Sequence, residues 1–285
     1  MTSRQLFPPV YIPLVYVGLG HALWALRSGG DALLWMGVLI ACIPPVFLFT
    51  SMVSYRVART ARTLPLVFTG GLAGGMASLA GAFAASQAGS EIAVAPLVYA
   101  VGAGLIGAPL YVYWYSVLPT SGGGLAVGEP LPDFTLTGVD GAPVESGSLR
   151  GRPAILMFHR GNWCPLCMAQ IGEVARRYQE ISSRGAVMWL ISGQSQKETE
   201  RLARIRDVGF VHLRDEGLRV ARQLGLYHPG ATPMGVGALG FDDDAYLPTV
   251  VVIDAGGVVR WAQTTDNYRV RPEPETFLAV LDELG

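Results

Sequence analysis

The order of apolar and polar positions splits this chain in two. Between Phe7 and Ser54 the only charged residues are Arg27 and Asp31, and between Thr63 and Thr120 the only one is Glu91. A helix needs about 20 consecutive apolar residues to cross the hydrocarbon core of a bilayer. Pro9–Leu26, Ala32–Ser54, Leu64–Ser86 and Ile92–Leu118 each meet that requirement, with polar stretches at Arg27–Asp31, Tyr55–Thr63 and Gln87–Glu91 between them. Tyr111, Tyr113, Trp114 and Tyr115 end the fourth span as an interfacial aromatic belt does. Gly70, Gly71, Gly74 and Gly75 give the third span overlapping G-x-x-x-G pairs, a pattern for close helix packing. That packing is expected inside the four-helix unit, with a homodimer face as the alternative.

Past Thr120 the pattern changes. Ser121-Gly122-Gly123-Gly124 reads as a flexible linker. Phe134–Thr137 then reads as a strand, with a hairpin turn at Asp140-Gly141. Ala154–Arg160 is a continuous apolar run typical of a buried strand. A helix is expected from Pro165 to about Ser183. It would carry Met168, Ile171, Val174, Ala175 and Tyr178 on one face, and Glu173, Arg176, Arg177 and Glu180 on the other. Ala186–Ile191 and Val211–Leu213 read as strands, and Gln196–Arg206 and Leu218–Leu224 as helices. Thr249–Asp254 and Val258–Ala262 form a hairpin around Ala255-Gly256-Gly257, and Glu273–Leu284 is a closing helix. Alternating strands and helices predict an α/β domain, and the late hairpin makes its central sheet mixed. The expected organisation is a transmembrane region of four helices over residues 1–120, a linker over 121–127 and an α/β domain over 128–285.

Composition sharpens this division. Charged residues make up only 15% of the chain, and 21 basic against 22 acidic residues leave a net charge of −1, which gives no footing for nucleic acid. Arg56, Arg59 and Arg62 mark the Tyr55–Thr63 loop as cytoplasmic. Four spans then return the C-terminal domain to the cytoplasmic side of a bacterial inner membrane. His21 stands alone in the membrane half and reads as a packed or interfacial side chain. Cys42 reads as a small buried hydrophobe.

The chemistry concentrates in Phe158-His159-Arg160-Gly161-Asn162-Trp163-Cys164-Pro165-Leu166-Cys167. Two cysteines at this spacing can close a small disulfide. Pro165 suits the first helical position, where its missing N–H is not needed. That would put Cys164 at a helix N-terminus, where unpaired N–H groups and the helix dipole favour a thiolate. Arg160 would add positive field, and Trp163 an apolar lip for docking. A zinc site would need a second Cys/His pair at zinc spacing, and none follows. His228 is a candidate site-edge residue, and the long Gly225–Tyr246 stretch with Asp242-Asp243-Asp244 a candidate cap.

A C-x-x-C at a strand-to-helix junction points to a thioredoxin-like domain. The opening Gly128-Glu129-Pro130-Leu131-Pro132-Asp133-Phe134-Thr135-Leu136 and the run Arg160–Cys167 resemble the AhpC/TSA–redoxin, peroxiredoxin-like branch of that fold. The resemblance covers about Val127 to Leu284. It implies a cis-proline at Pro248, followed by Thr249, facing the two cysteines. Laid on the peroxiredoxin pattern P-x-x-x-[ST]-x-x-C, Cys167 takes the peroxidatic position, Cys164 that of the Thr or Ser, and Arg160 that of the proline. The partner arginine of that pattern is absent near Leu247-Pro248. Laid on thioredoxin, Cys164 attacks and Cys167 resolves. The resemblance thus implies an oxidoreductase without a bound cofactor, acting on protein or small-molecule disulfides or on peroxides, and the four apolar spans would hold it in membrane lipid. Thioredoxin or glutathione would be the reductant. Thiol–disulfide exchange at Cys164 is the first reading, peroxidase chemistry at Cys167 the second, and a non-catalytic redox sensor coupled to the membrane region the third.

Overall fold

The computed structural model describes residues 2–54, 57–119 and 125–284. The Ser121–Gly124 linker and Arg56 lie outside the described residues. The chain divides into two units: Thr2–Arg56 with Thr60–Val117, and Val57–Arg59 with Leu118 onward.

The first unit is helical, with α1 (Ser3–Arg27), α2 (Ala32–Val53), α3 (Pro65–Gln87) and α4 (Val94–Tyr99), which runs on to Tyr115 largely in π-helical turns. These four helices are long and apolar enough to cross a membrane. Their starts follow from local chemistry. The Thr2 side chain accepts from the Gln5 N–H in a capping box, and Asp31 accepts from the Leu34 N–H at 2.9 Å. The third-span glycines are spent inside the unit. A Cβ on Gly37 would fall 2.6 Å from the Gly74 carbonyl, so only glycine lets α2 and α3 approach this closely. Ser78 then donates to the Leu34 carbonyl at 2.7 Å across the same crossing. His21 packs among Trp24, Trp35 and Tyr99, and Cys42 is fully buried.

The second unit is an α/β domain around a seven-stranded mixed sheet, ordered β2-β1-β5-β4-β3-β8-β9. Its strands are β1 (Thr135–Gly138), β2 (Pro143–Glu145), β3 (Ala154–Phe158), β4 (Val187–Ser192), β5 (Val211–Arg214), β8 (Thr249–Ile253) and β9 (Val259–Thr264). A small ribbon pairs β6 (Tyr227–His228) with β7 (Ala245–Tyr246). β3, β4 and β5 run parallel, and β8 runs antiparallel to β3. Alternate residues of each central strand feed opposite cores, as strand geometry requires. Leu156 and Phe158 join Trp189, Ile191, Val251 and Tyr246 on one face. Ile155 and Met157 join Met188, Leu190 and Val250 on the other. The second face is covered by α5 (Pro165–Arg176), α6 (Tyr178–Ser183), α7 (Gln196–Ile205) and α9 (Pro274–Asp282); α8 (Arg219–Gln223) covers the first.

The single helix expected from Pro165 to Ser183 is two helices. Arg177 leaves the helical region at φ −109°, ψ 13°. The bend brings Ile181 into the core and stacks Tyr178 edge-on against Phe210, with ring centroids 5.4 Å apart. α5 is also buried more widely than one stripe. Leu166, Cys167, Ala169, Gln170, Ile171, Gly172 and Val174 are all buried, while Met168 is only partly so.

Candidate active site

β3 is an inner strand between β4 and β8, and the backbone beyond its end still obeys the sheet: the His159 N–H donates to the Ile191 carbonyl at 2.9 Å. The chain then turns through Gly161, whose φ of +120° is open to glycine and costly for any L side chain. Asn162 pins the turn to its neighbours. Its backbone N–H donates to Gln194 Oε1 at 2.9 Å and its side-chain amide to the Glu198 carbonyl at 2.8 Å. Cys164 follows as the N-cap residue of α5, with Pro165 in the first turn. The predicted strand–loop–helix setting is therefore present.

Cys164 and Cys167 are both free thiols, 2% and 1% exposed. A guanidinium covers them. Arg271 Nη2 lies 3.5 Å from Cys167 Sγ and 3.8 Å from Cys164 Sγ. Its Nε donates to the Tyr268 carbonyl at 3.0 Å and its Nη1 to Gln170 Oε1 at 3.2 Å. Arg160 adds a second positive charge. It lies 4.7 Å from the centre of the Trp163 ring and 5.6 Å from that of Tyr268, and its Nη2 donates to the Ala231 carbonyl. The latter bond ties the long 225–246 segment to the site.

These surroundings separate the two thiols. Burial alone would raise Cys167. A hydrogen bond from Cys164, the Arg271 charge, a backbone bond from Arg160 and the Arg160 charge together outweigh it and bring Cys167 down to about 5. Cys164 is raised well above its ordinary value, by burial first and then by the hydrogen bond that it gives to Cys167. Arg271 lies closer to Cys167, so the charge favours a thiolate on that sulfur, while Cys164 holds the N-cap position of α5. His159 stays neutral: burial, with help from His212 and Arg271, lowers it to about 3. Its Nδ1 accepts from the Gly161 N–H at 3.2 Å.

The other predicted site residues divide. Arg160, Trp163 and Pro165 stand with the cysteines. Pro248 corrects an expectation: among the described residues no peptide bond is cis. The trans bond, which X–Pro already prefers by roughly 0.5–1 kcal/mol, keeps the chain extended into β8. The Leu247 N–H donates to the Leu226 carbonyl at 2.7 Å, and the Pro248 carbonyl accepts from the Thr265 N–H at 3.1 Å. The Thr249 hydroxyl bonds to Leu247 and Thr264 and braces the β8–β9 hairpin. His228 is buried in the β6–β7 ribbon opposite Ala245. Asp244 accepts from the Tyr227 hydroxyl and, at 2.8 Å, from the Gly230 N–H, so it braces a loop.

Arg271, Gln170 and Tyr268 were not foreseen. The one visible signal was Tyr268-Arg269-Val270-Arg271-Pro272, two arginines in an irregular stretch between the last strand and the last helix. No arginine stands at Leu247-Pro248, and the guanidinium over the two sulfurs is that of Arg271.

Residues 127–262 match the sequence profile of the AhpC/TSA family. Chloroplastic peroxiredoxin Q from Sedum lineare is 29% identical over 99 residues, covering 35% of this chain and 53% of that protein. Peroxiredoxin 2 from Thermoplasma acidophilum is 29% identical over 145 residues, covering 47% of this chain and 64% of that one. The chain thus spans about half to two thirds of the length of these curated relatives. The crystal structure of peroxidoxin BcpB from Mycobacterium tuberculosis aligns with 56% of this chain and 99% of its own, at 20% identity and a TM-score of 0.48. The family match ends nine residues before Arg271.

Proposed function

We propose, the C-terminal domain being a peroxiredoxin-like domain of the thioredoxin fold, that it is a thiol peroxidase in which Cys167 attacks and Cys164 resolves. The observation that carries this reading is the Arg271 guanidinium on the Cys167 sulfur, with Cys164 as its hydrogen-bond partner. The Cys167 thiolate attacks the terminal oxygen of a hydroperoxide. An S–O bond forms, the O–O bond breaks, and the alkoxide or hydroxide leaves and takes up a proton. Cys167 is then a sulfenic acid. The Cys164 sulfur displaces its hydroxyl, the Cys164 proton goes to that hydroxyl to give water, and a Cys164–Cys167 disulfide results. A thioredoxin- or glutathione-type thiol reduces it again. The depth of the sulfurs supports a small oxidant, since a peroxide oxygen reaches a 1%-exposed sulfur more readily than the disulfide of a folded protein does.

Thiol–disulfide exchange is the second reading, favoured by Cys164 standing at the N-cap of α5. The four apolar helices would anchor the domain in the membrane, with the arginine loop and the domain on the cytoplasmic side. Trapping tests the chemistry. In Cys164→Ser, peroxide should leave a dimedone-reactive sulfenate on Cys167, and Cys167→Ser should consume no peroxide. If instead Cys167→Ser holds substrate proteins as mixed disulfides on Cys164, exchange is the function. Turnover in neither assay would leave the sensor reading.

A further inference from the structure

The long 225–246 segment carries a loop whose apolar tip is left exposed. Its neck is closed by hydrogen bonds. The Thr232 N–H donates to the Asp243 carbonyl at 2.9 Å, and the Thr232 hydroxyl to the Asp242 carbonyl at 2.7 Å. The Asp244 carboxylate takes the Gly230 N–H at 2.8 Å. Beyond the neck, the nine residues Pro233–Phe241 contain no charged, hydroxyl or amide side chain. The short 3₁₀ turn among them, Val236–Leu239, buries none of its residues. Met234 is 43% and Leu239 71% exposed, and among the described residues of the α/β unit no other large apolar side chain is as exposed as Leu239. A braced neck thus presents an apolar tip, and an exposed apolar patch with a polar rim marks an interaction site.

We propose that this tip is a lipid-docking loop, with Met234 and Leu239 entering the interfacial region of a zwitterionic bilayer. Such docking rests on the membrane reading of the four apolar helices. They are joined to the domain by one chain, so they keep a bilayer at high effective concentration. The tip's chemistry selects lipid over a protein partner. A protein interface carries about one hydrogen bond per 100–200 Å², and the side chains from Pro233 to Phe241 offer none. A bilayer asks only for apolar area, which it buries about 5–10 Å into the boundary between headgroups and acyl chains. The neck sets the depth and the lipid type. Asp242 and Asp243 are exposed directly behind Phe241. Their carboxylates stop the loop at the headgroups and are repelled by an anionic leaflet.

The test uses the full chain reconstituted in phosphatidylcholine vesicles. Cys42, Cys164 and Cys167 are replaced by serine. A single introduced cysteine, Leu239→Cys or the control Val139→Cys in the exposed turn after β1, carries a nitrobenzoxadiazole label. The label at Leu239 should emit to the blue of that at Val139. It should also be quenched about twofold or more by nitroxide-bearing lipid, as a group seated in the interface is, while the control behaves as in water. Phosphatidylglycerol in place of part of the lipid should weaken the quenching; quenching that grows instead overturns the part given to Asp242 and Asp243. If the serine background does not fold, Leu239→Trp in the chain with its own cysteines, read by brominated-lipid quenching, carries the test. Equal emission and quenching at the two positions, in a chain that floats with the vesicles, overturns lipid docking and leaves the membrane anchor standing. A blue-shifted label that lipid nitroxide does not quench means that protein covers the tip, and overturns docking too. A chain that alkaline carbonate strips from the vesicles overturns the anchor and the docking together.

Discussion

Replacing Arg271 with glutamine removes the charge nearest to Cys167 and keeps hydrogen-bonding atoms in its place. Nη2 lies 3.5 Å from the sulfur. At an effective dielectric of about 20, a unit charge at that distance is worth about 5 kcal/mol, or roughly 3.5 pH units. Cys167 stands about four units below its reference value of 9.0, with burial opposing the shift and Cys164 and Arg160 contributing to it. The variant should therefore titrate about two to three units higher, above neutrality. The rate at pH 7 toward an alkylating agent is the wrong observable. A thiolate fraction lower by about tenfold is offset by the greater nucleophilicity of a more basic sulfur, with a Brønsted coefficient of about 0.4–0.5. The alkylation midpoint is the direct measure. In the proposed cycle peroxide should behave differently, because a guanidinium 3.5 Å from the attacking sulfur would also serve the negative charge that develops on the departing oxygen. Loss of one such donor costs about 100-fold or more. The expected signature is thus a raised midpoint, near-unchanged alkylation at pH 7 and a peroxide reaction about two orders of magnitude slower. A midpoint within about half a unit of wild type would refute the assignment of the thiolate to Arg271.

Stability should depend on pH only in the reduced protein over one window. Between about 5 and 9 the unfolded state holds a proton on Cys167 that the folded state lacks, so stability rises with pH by about 1.4 kcal/mol per unit. It is complete above 9 and lost as pH falls through 5, while the raised Cys164 subtracts only at higher pH. His159, lowered to about 3, adds a slope in both redox states below its unfolded value of 6.5. Calorimetric melting between pH 6.5 and 8.5 isolates the thiol contribution; equal slopes for the dithiol and disulfide forms would contradict it. In the helical unit, Gly37→Val should separate α2 from α3, because its first carbon already meets the Gly74 carbonyl at 2.6 Å. Overpacking of this kind costs about 1–3 kcal/mol or more, and a thermal midpoint in detergent unchanged from wild type would rule out the close crossing.

The fold was legible because each element announces itself locally. β3 and β4 are unbroken apolar runs, the Asp140-Gly141 turn closes β1 on β2, and Trp-Cys-Pro-x-Cys sits between a strand and a helix. What failed was non-local. The break at Arg177 goes with the packing of Tyr178 on Phe210, far along the chain. Arg271 lies 104 residues from Cys167, in a segment with no periodicity to say which side chains turn inward. A charged residue in an irregular stretch reads as solvated, and only the folded arrangement shows it enclosed.

That distance along the chain has a consequence in time. A ribosome adding about 5–20 residues per second finishes Cys167 roughly 5–20 seconds before it reaches Arg271. Through that interval, and until the stretch from Thr265 to Pro272 docks, Cys167 lacks the Arg271 guanidinium that lies 3.5 Å from its sulfur in the folded domain. On the proposed peroxidase cycle, full reactivity toward oxidant arrives only with completion of the domain.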